Sequence, residues 1–430
     1  MRARDSPSQF AGKHWPYPRL LVGASTCHFV KNGISPPSAV VRRVAHLGDA
    51  HNFGRRVTQR PTRIAKPRTL LWEWLLLCAE SPLRELLVGS FDFLPSLGFS
   101  SPFEPGGGEV ERVRLKPLVA RSAESKRTLA RIVGEALALF SWLGVSDLHW
   151  ENLVLGVGEG GRSRQGRRVV FAPLDVEMIL ADLCLPTETK LLPDADPEVA
   201  AICRHACGVR RVLPYLGKPV PAELVVLMAD AYRRALDVLD LRARAIADVF
   251  ARLPHLGETP IRVLLRGTDE YVRARTEPVW PPLLDAESQQ LARGDIPYFF
   301  RLYGRPGIHF YANEALTRVE HLPLRGDVPR LDPILSLSRG LRSPSRRKLR
   351  DDGLFAVLGA FDHPSIKGRY ESEDLVVTYG ARTLTVRLPG GDELQTRRDL
   401  RAFVGSVYLP CRCGEVRTAF APPVTTCGSP

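Results

Sequence analysis

The chain is poor in what would tie it to an oxidising compartment or to a membrane. Its eight cysteines in 430 residues are few and irregularly spaced, so they do not read as a disulfide framework. No stretch approaches the ~18 uninterrupted apolar residues of a membrane-crossing helix. The densest run, "LLWEWLLLC" (70–78), is short and carries Glu73. The opening "MRARDSPSQFAGKHWPYP" lacks the pattern of a signal peptide and reads as a loose arm over 1–25. Internal repeats are missing too. A cytoplasmic protein without a membrane span is the expectation.

What is present suits a globular fold. Apolar residues make up 44% and charged residues 25%, enough to bury a core. The length suggests two or three domains or one large bilobal unit. Lys and Arg number 60 against 47 Asp and Glu, a net charge of +13. A basic surface favours anionic partners, although solvated arginines account for it equally well. "RSPSRRKLR" (342–350) would permit nucleic acid, but no nucleic-acid module appears and no such partner is expected. "CRHAC" (203–207) and "CRC" (411–413) invite a zinc site. Their spacing is non-standard, so ordinary thiols are expected.

Along the chain, residues 38–66 read as short strands separated by turn residues, with "GDAHNFG" (48–54) as a hairpin tip and "RIAK" as a strand ending in Lys66. Residues 69–89 have helical periodicity, with Thr69 as candidate cap. "EPGGGE" is a turn and 110–120 another strand. A second helix spans 122–144, capped by Ser122 and stopped at Gly144. Residues 153–177 form a strand, a Gly/Arg loop and a strand that ends at Asp175. Helical patterns follow over 197–213 and 221–253. An amphipathic stretch over 259–277 is broken by Gly267, and "GDIPYFFRLYG" is a loop-forming aromatic segment. A helix over 343–361 and a β-hairpin over 374–394 come last.

The chemistry concentrates in "GVSDLHWENLVLG" (144–156), which sets Asp147, His149 and Asn152 between apolar segments. Alone this is a turn held by Asx side chains as readily as a site. Followed by a hairpin ending "PLDVE", it puts two groups able to bind Mg²⁺, Asn152 and Asp175, at the ends of adjacent strands. The order of parts is that of a phosphoryl-transfer site: a hairpin over the phosphates, a strand lysine, a loop Asp, and an Asn and Asp for the metal. Lys66 on its own reads as a strand-end lysine in solvent. Glu73 reads as a helix-surface carboxylate, with an ion pair to Lys66 as the alternative.

Taken in order, "GDAHNFGRRV…RIAKPR", "GVSDLHWENLVLG", "PLDVE", "RVLLRGTDEY" and "GDIPYF" resemble the dehydratase domain of LanM-type class II lanthipeptide synthetases, over roughly 44–310. The resemblance implies a kinase-like core that phosphorylates Ser and Thr of a precursor peptide with ATP and Mg²⁺, then eliminates the phosphate to leave dehydroamino acids. It implies that Lys66 contacts the ATP phosphates and that Asn152 and Asp175 hold Mg²⁺. Asp147 would be base or orienter for the substrate hydroxyl, with His149 beside it. Asp49, His51, Arg262 and Thr268 match positions linked to elimination. Arginine suits that step because its fork holds phosphate at two points.

The expected fold class is α+β, a kinase-like bilobal fold with a small β-rich N-lobe over 26–145 and a larger helical C-lobe over 146–335. A helix plus β-hairpin extension over 336–410 and a tail over 411–430 would follow. No cyclase-type set of Cys and His follows "GDIPYF", so cyclisation is not expected here and a separate cyclase is the implied partner. The segment ahead of the Asp49 motif is shorter than the family's, which leaves leader recognition and substrate class open. Phosphorylation without elimination and an inactive peptide-binding fold are the alternatives.

Overall fold

The computed structural model describes residues 45–118, 122–149, 152–158, 168–180, 185–192, 202, 213–217, 220–280, 282–323, 347–363 and 365–398. The arm over 1–25, the strand residues 38–44, "CRHAC", most of the helix expected over 197–213 and the tail over 411–430 lie outside them.

Five short strands open the described chain: β1 (Ala45–His51), β2 (Arg55–Gln59), β3 (Arg63–Lys66), β4 (Phe99–Ser100) and β5 (Gly108–Glu111). They form one antiparallel sheet in the order β1-β2-β3-β5-β4. The register of β1 slips between Leu47 and His51, where Gly48 takes a φ of +68° that glycine tolerates without cost.

Two helices, α1 (Leu71–Leu77) and α2 (Pro82–Leu86), replace the single helix expected over 69–89. The break has a local cause. Ser81 accepts the Arg84 N–H at 3.2 Å, and Pro82 starts the second helix at a position where its missing N–H is harmless. Thr69 is not the cap of α1. Leu70 holds that place, and the Thr69 hydroxyl donates to the Pro102 carbonyl at 3.1 Å.

The long helix α3 (Ala123–Trp142) is capped by Ser122 as expected. The antiparallel pair β6 (Leu153–Gly158) and β7 (Arg168–Pro173) runs in unbroken register from Leu153↔Pro173 to Gly158↔Arg168. Next come α4 (Leu213–Leu216), α5 (Ala222–Leu241) and α6 (Ala243–Ala251). α3 and α5 approach so closely that a Cβ on Gly134 would sit 2.2 Å from the Met228 carbonyl oxygen.

Gly267 does divide the stretch over 259–277, whereas the aromatic segment expected as a loop is a strand. Residues 259–277 are a strand and a helix: β8 (Pro260–Val263), then α7 (Thr268–Ala274). After α8 (Asp285–Ala292), the aromatic segment forms β9 (Phe299–Leu302), with β10 (His309–Tyr311) and β11 (Val319–His321) completing an antiparallel sheet in the order β11-β10-β9-β8. Every residue of β8 except Arg262 is buried, and so short an apolar run cannot be told from a helix turn by its period. A π turn (Lys348–Asp352) and α9 (Gly353–Ala360) lead to β12 (Gly368–Glu371), β13 (Val376–Tyr379), β14 (Thr383–Arg387) and β15 (Glu393–Arg397). The expected hairpin is thus the centre of a four-stranded sheet.

The α+β class holds. One apolar cluster runs from Leu71 in α1 through α3, α5 and β8 to Val386 in β14. No described helix is long and apolar enough to cross a membrane. Gly134→Ala tests the helix contact by its sign. In an exposed helix the change would stabilise by about 1 kcal/mol; here it should destabilise by about 1–3 kcal/mol through overpacking. Urea denaturation measures it, and a gain in stability would refute the close approach.

Candidate functional site

Alternation along β3 turns Lys66 away from the face that carries Ala65. There its Nζ lies 3.1 Å from Glu73 Oε1, 3.0 Å from Asp175 Oδ1 and 2.8 Å from the Leu174 carbonyl oxygen. Lys66 is 6% exposed and Glu73 1%. The two solvent-exposed readings are therefore overturned, and the ion pair stands. Glu73 is inside because every residue of α1 except Trp74 is buried. The Trp72 indole, donating to the Pro260 carbonyl at 2.9 Å, fixes the rotation of the helix against β8.

Arg68, which the sequence reading passed over, is the hub. Its guanidinium binds Glu73 and Asp175, and its Nε lies 3.2 Å from Glu177. Glu177 also faces Arg262 Nη1 at 3.6 Å, and its carbonyl accepts the Arg262 N–H at 2.9 Å. Five charged side chains from β3, α1, the end of β7 and β8 so form a chain with Lys66. The only signal for Arg68 in the sequence was its place two residues beyond Lys66, across a proline.

The Asp147 loop abuts this chain. Asp147 has a φ of +63°, a left-handed conformation that costs a non-glycine residue about 1–2 kcal/mol. Lys190, with a φ of +64°, sets its Nζ 3.3 Å from Asp147 Oδ1; His149 Nε2 is 4.0 Å from the same oxygen. The Asn152 amide donates to the Asp147 carbonyl at 2.9 Å and lies 3.1 Å from the His149 ring. The Leu174 N–H donates to the Asn152 carbonyl at 2.7 Å, which ties the loop to the segment bearing Asp175. Trp150 and Glu151 lie outside the described residues.

On the β8 side, the His51 Nδ1–H donates to the Ile296 carbonyl at 2.8 Å. Its ring is 5.8 Å from that of Tyr298, and the Arg262 guanidinium lies 5.4 Å over the same tyrosine. Asp49 is exposed on β1 and acts on His51 through its charge. Thr268 is exposed at the start of α7 and, among the described residues, no hydrogen bond joins it to the cluster.

The charges shape one another. Burial alone would raise the Asp175 carboxyl, but Lys66 and Arg68 outweigh it and hold it far below the usual range, so it is ionised. Burial raises Glu177, helped by Asp175 and opposed by Arg68 and Arg262. Three cations, Lys66, Arg68 and Arg262, thus face three carboxyl groups, Glu73, Asp175 and Glu177. Burial, then Arg262, lowers His51 to about 4, so at neutral pH its ring is uncharged with the proton on Nδ1. Glu177 Oε2 and Arg262 Nε are buried without a hydrogen-bond partner among the described residues, two groups that a bound ligand would satisfy.

As to a metal, the described residues hold no group of three or more His, Cys, Asp or Glu placed around one point. Asn152 and Asp175 offer an amide oxygen and an ionised carboxylate. That fits Mg²⁺, which takes one or two protein oxygens and completes its shell with phosphate and water. A polar groove of about 550 Å³, lined by Arg56, Thr58, Ala65, Lys66, Ser100 and Glu109 among others, borders this site at Lys66. Thr58, Ala65, Glu109 and Ser100 pair across β2, β3, β5 and β4 to form its floor.

No protein-family model matches the sequence, and no curated protein matches it.

Breaking the buried cluster should be costly. Glu73→Ala leaves Lys66 and Arg68 short of a partner and should lose about 3–5 kcal/mol. Arg60→Ala, in the exposed pair with Glu109, should lose less than about 1 kcal/mol. Equal costs in chemical denaturation would contradict the burial of Glu73.

His51 also sets a pH dependence. Its pKa is lowered from 6.5 to about 4, so between those values the unfolded chain binds a proton that the folded one refuses. This contribution to stability is full above pH 6.5 and is lost as the pH falls toward 4. His51→Gln should flatten that part of the profile, measured as the denaturation midpoint between about pH 7 and about pH 5.

Proposed function

We propose that the protein is a kinase-like dehydratase, transferring the γ-phosphoryl group of ATP to a Ser or Thr hydroxyl of a peptide and then eliminating the phosphate in the same cleft. The observation that carries the reading is the convergence of Lys66, Glu73 and Asp175, drawn from three separate elements, in one buried ion cluster beside the Asp147–Asn152 loop. A buried cluster of this kind is expensive to keep for stability alone, and the lowered pKa of its Asp175 supports the reading of a functional site. The sheet order β1-β2-β3-β5-β4, with a helix carboxylate paired to the β3 lysine, supports a kinase-like N-lobe. A bilobal division near residue 145 belongs to the same proposal.

In this reading Lys66 and Arg68 lie against the ATP phosphates, and Asn152 and Asp175 are the protein ligands of Mg²⁺. The metal, when bound, supplies positive charge against the phosphate oxygens. Asp147, strained and aimed by Asn152 and Lys190, accepts the hydroxyl proton as the substrate oxygen bonds to phosphorus. The bond to the bridging oxygen breaks, and its electron pair leaves with ADP. For the second step a base removes the α-proton, the C–H electrons form the double bond, and the C–O pair departs with phosphate. Arg262, with a buried N–H unspent, meets that growing charge. The exposed place of Thr268 favours a second reading, phosphorylation without elimination.

Calorimetry should register Mg²⁺-ATP binding by the intact protein and its loss in Asp175→Ala. Asp147→Asn should keep binding while transfer falls about 10²–10⁴-fold. With Ser/Thr peptides that it phosphorylates, Arg262→Ala should accumulate product about 80 Da heavier per site, whereas the intact protein yields product about 18 Da lighter, one water lost. Heavier product from the intact protein promotes the second reading; no ATP binding ends both.

A further inference from the structure

The tip of the β1–β2 hairpin does not hang free. Asn52, Phe53 and Gly54 have φ values of +47°, +70° and +78°. Successive left-handed residues turn their N–H groups to one side and make a concavity for an anion. The anion is supplied by the protein. Asp295, with no exposed surface, accepts the Phe53 N–H at 2.8 Å and the Gly54 N–H at 2.7 Å, one on each carboxylate oxygen. Arg293 donates to Asp295 at 2.8 Å and covers the Phe53 ring at 3.9 Å. One residue on, the Ile296 N–H donates to the Ala50 carbonyl at 2.8 Å, and the Ile296 carbonyl receives the His51 Nδ1–H at 2.8 Å. Two chain segments about 240 residues apart are locked by hydrogen bonds that bracket His51 on both sides.

We propose that Asp295 is a positioning residue for the elimination step: by clamping the hairpin tip it holds His51 in a single tautomer, with Nε2 as its free lone pair, beside Arg262 and Tyr298. This rests on the functional reading above and deepens it. The tip amides are occupied by Asp295, so they are not the phosphate grip, and that task stays with Lys66 and Arg68. His51 is left as the acceptor of the α-proton. The proton goes to Nε2, the C–H electrons form the double bond, and the C–O electrons leave with phosphate toward Arg262.

The groups facing His51 agree with this division. Arg262 from β8 opposes a charge on the ring; Asp49 on β1 and Asp295 favour one; Tyr298 lends an aromatic edge. Burial is the largest influence and Asp295 the smallest of the charges. Release of the clamp therefore hydrates the ring and raises its pKa, even though one carboxylate is lost.

Three measurements on the full chain test the clamp. Hydrogen exchange of the intact protein should show the Phe53 and Gly54 amides protected at least about 100-fold; free exchange there overturns the proposal and needs no variant. Nitrogen-15 histidine spectra, with His51→Gln for assignment, should show His51 neutral and protonated on Nδ1 across about pH 5–8. In Asp295→Asn, which cannot accept both amides, the ring should titrate toward its ordinary value of 6.5. Synthetic phosphoserine peptides are the third probe. Asp295→Asn should release phosphate from them at least about tenfold more slowly than the intact protein, with Mg²⁺-ATP affinity changed less than about twofold. An unaltered ring titration together with unaltered release sinks the positioning role. Failure of the intact protein to release phosphate at all overturns the functional reading instead, and amide exchange and ring tautomer still judge the clamp.

Discussion

The site depends on a simple electrostatic constraint: carboxylates taken out of water need cations, and the cations need them. Glu73 is nearly sealed from solvent, and Lys66 and Arg68 are its ion partners there. Those two cations in turn fix Asp175, and Arg68 reaches on to Glu177 and so to Arg262. The first sheet, α1, the end of β7 and β8 are thereby held in one arrangement by charge matching, with the apolar cluster closing around them. Such a cluster contributes little net stability, since desolvation offsets most of the attraction. What it provides is geometry.

That geometry separates two regions. Lys66, Asp175 and the Asp147 loop lie on one side, and His51, Tyr298 and Arg262 on the other, with Glu177 between two guanidiniums. Arg68 and Arg262 share this carboxyl, so a change at either alters the field at the other. Paired substitutions there would not add independently. A ligand that drew Arg262 away from Glu177 would loosen the same contact that steadies Arg68.

Much of this was legible in the sequence where local pattern and chemistry coincide. The "RIAK" strand, the capped helix α3 and the hairpin ending at Asp175 follow from turn residues, caps and apolar periodicity, and they put Lys66, Asn152 and Asp175 in the right order. Glu73 was misread because periodicity identifies a helix without revealing that nearly all of its surface is covered. Arg68 follows a proline in what looks like a loop, and nothing local says that three carboxyls await it. β8 and β9 are four residues each, too short for their period to declare itself, so both were missed as strands. β12 and β15 are mostly exposed and polar, which explains why only the inner hairpin of the last sheet was recognised.

The spacing of the contacts has a consequence for how the chain acquires its site. Lys66 meets Asp175 across 109 residues, Phe53 meets Asp295 across 242, and His51 meets Ile296 across 245. Pairings this distant must repay the entropy of closing very long loops before they return any stabilisation, and topologies rich in them fold slowly. On a ribosome the hairpin at residues 51–54 emerges long before its anchor at residue 295 exists. Through that interval Asp295's future partners, two bare amides at a hairpin tip, have only water to bind. The strand pairs and helices can form as they appear, but the site is among the last things the growing chain completes.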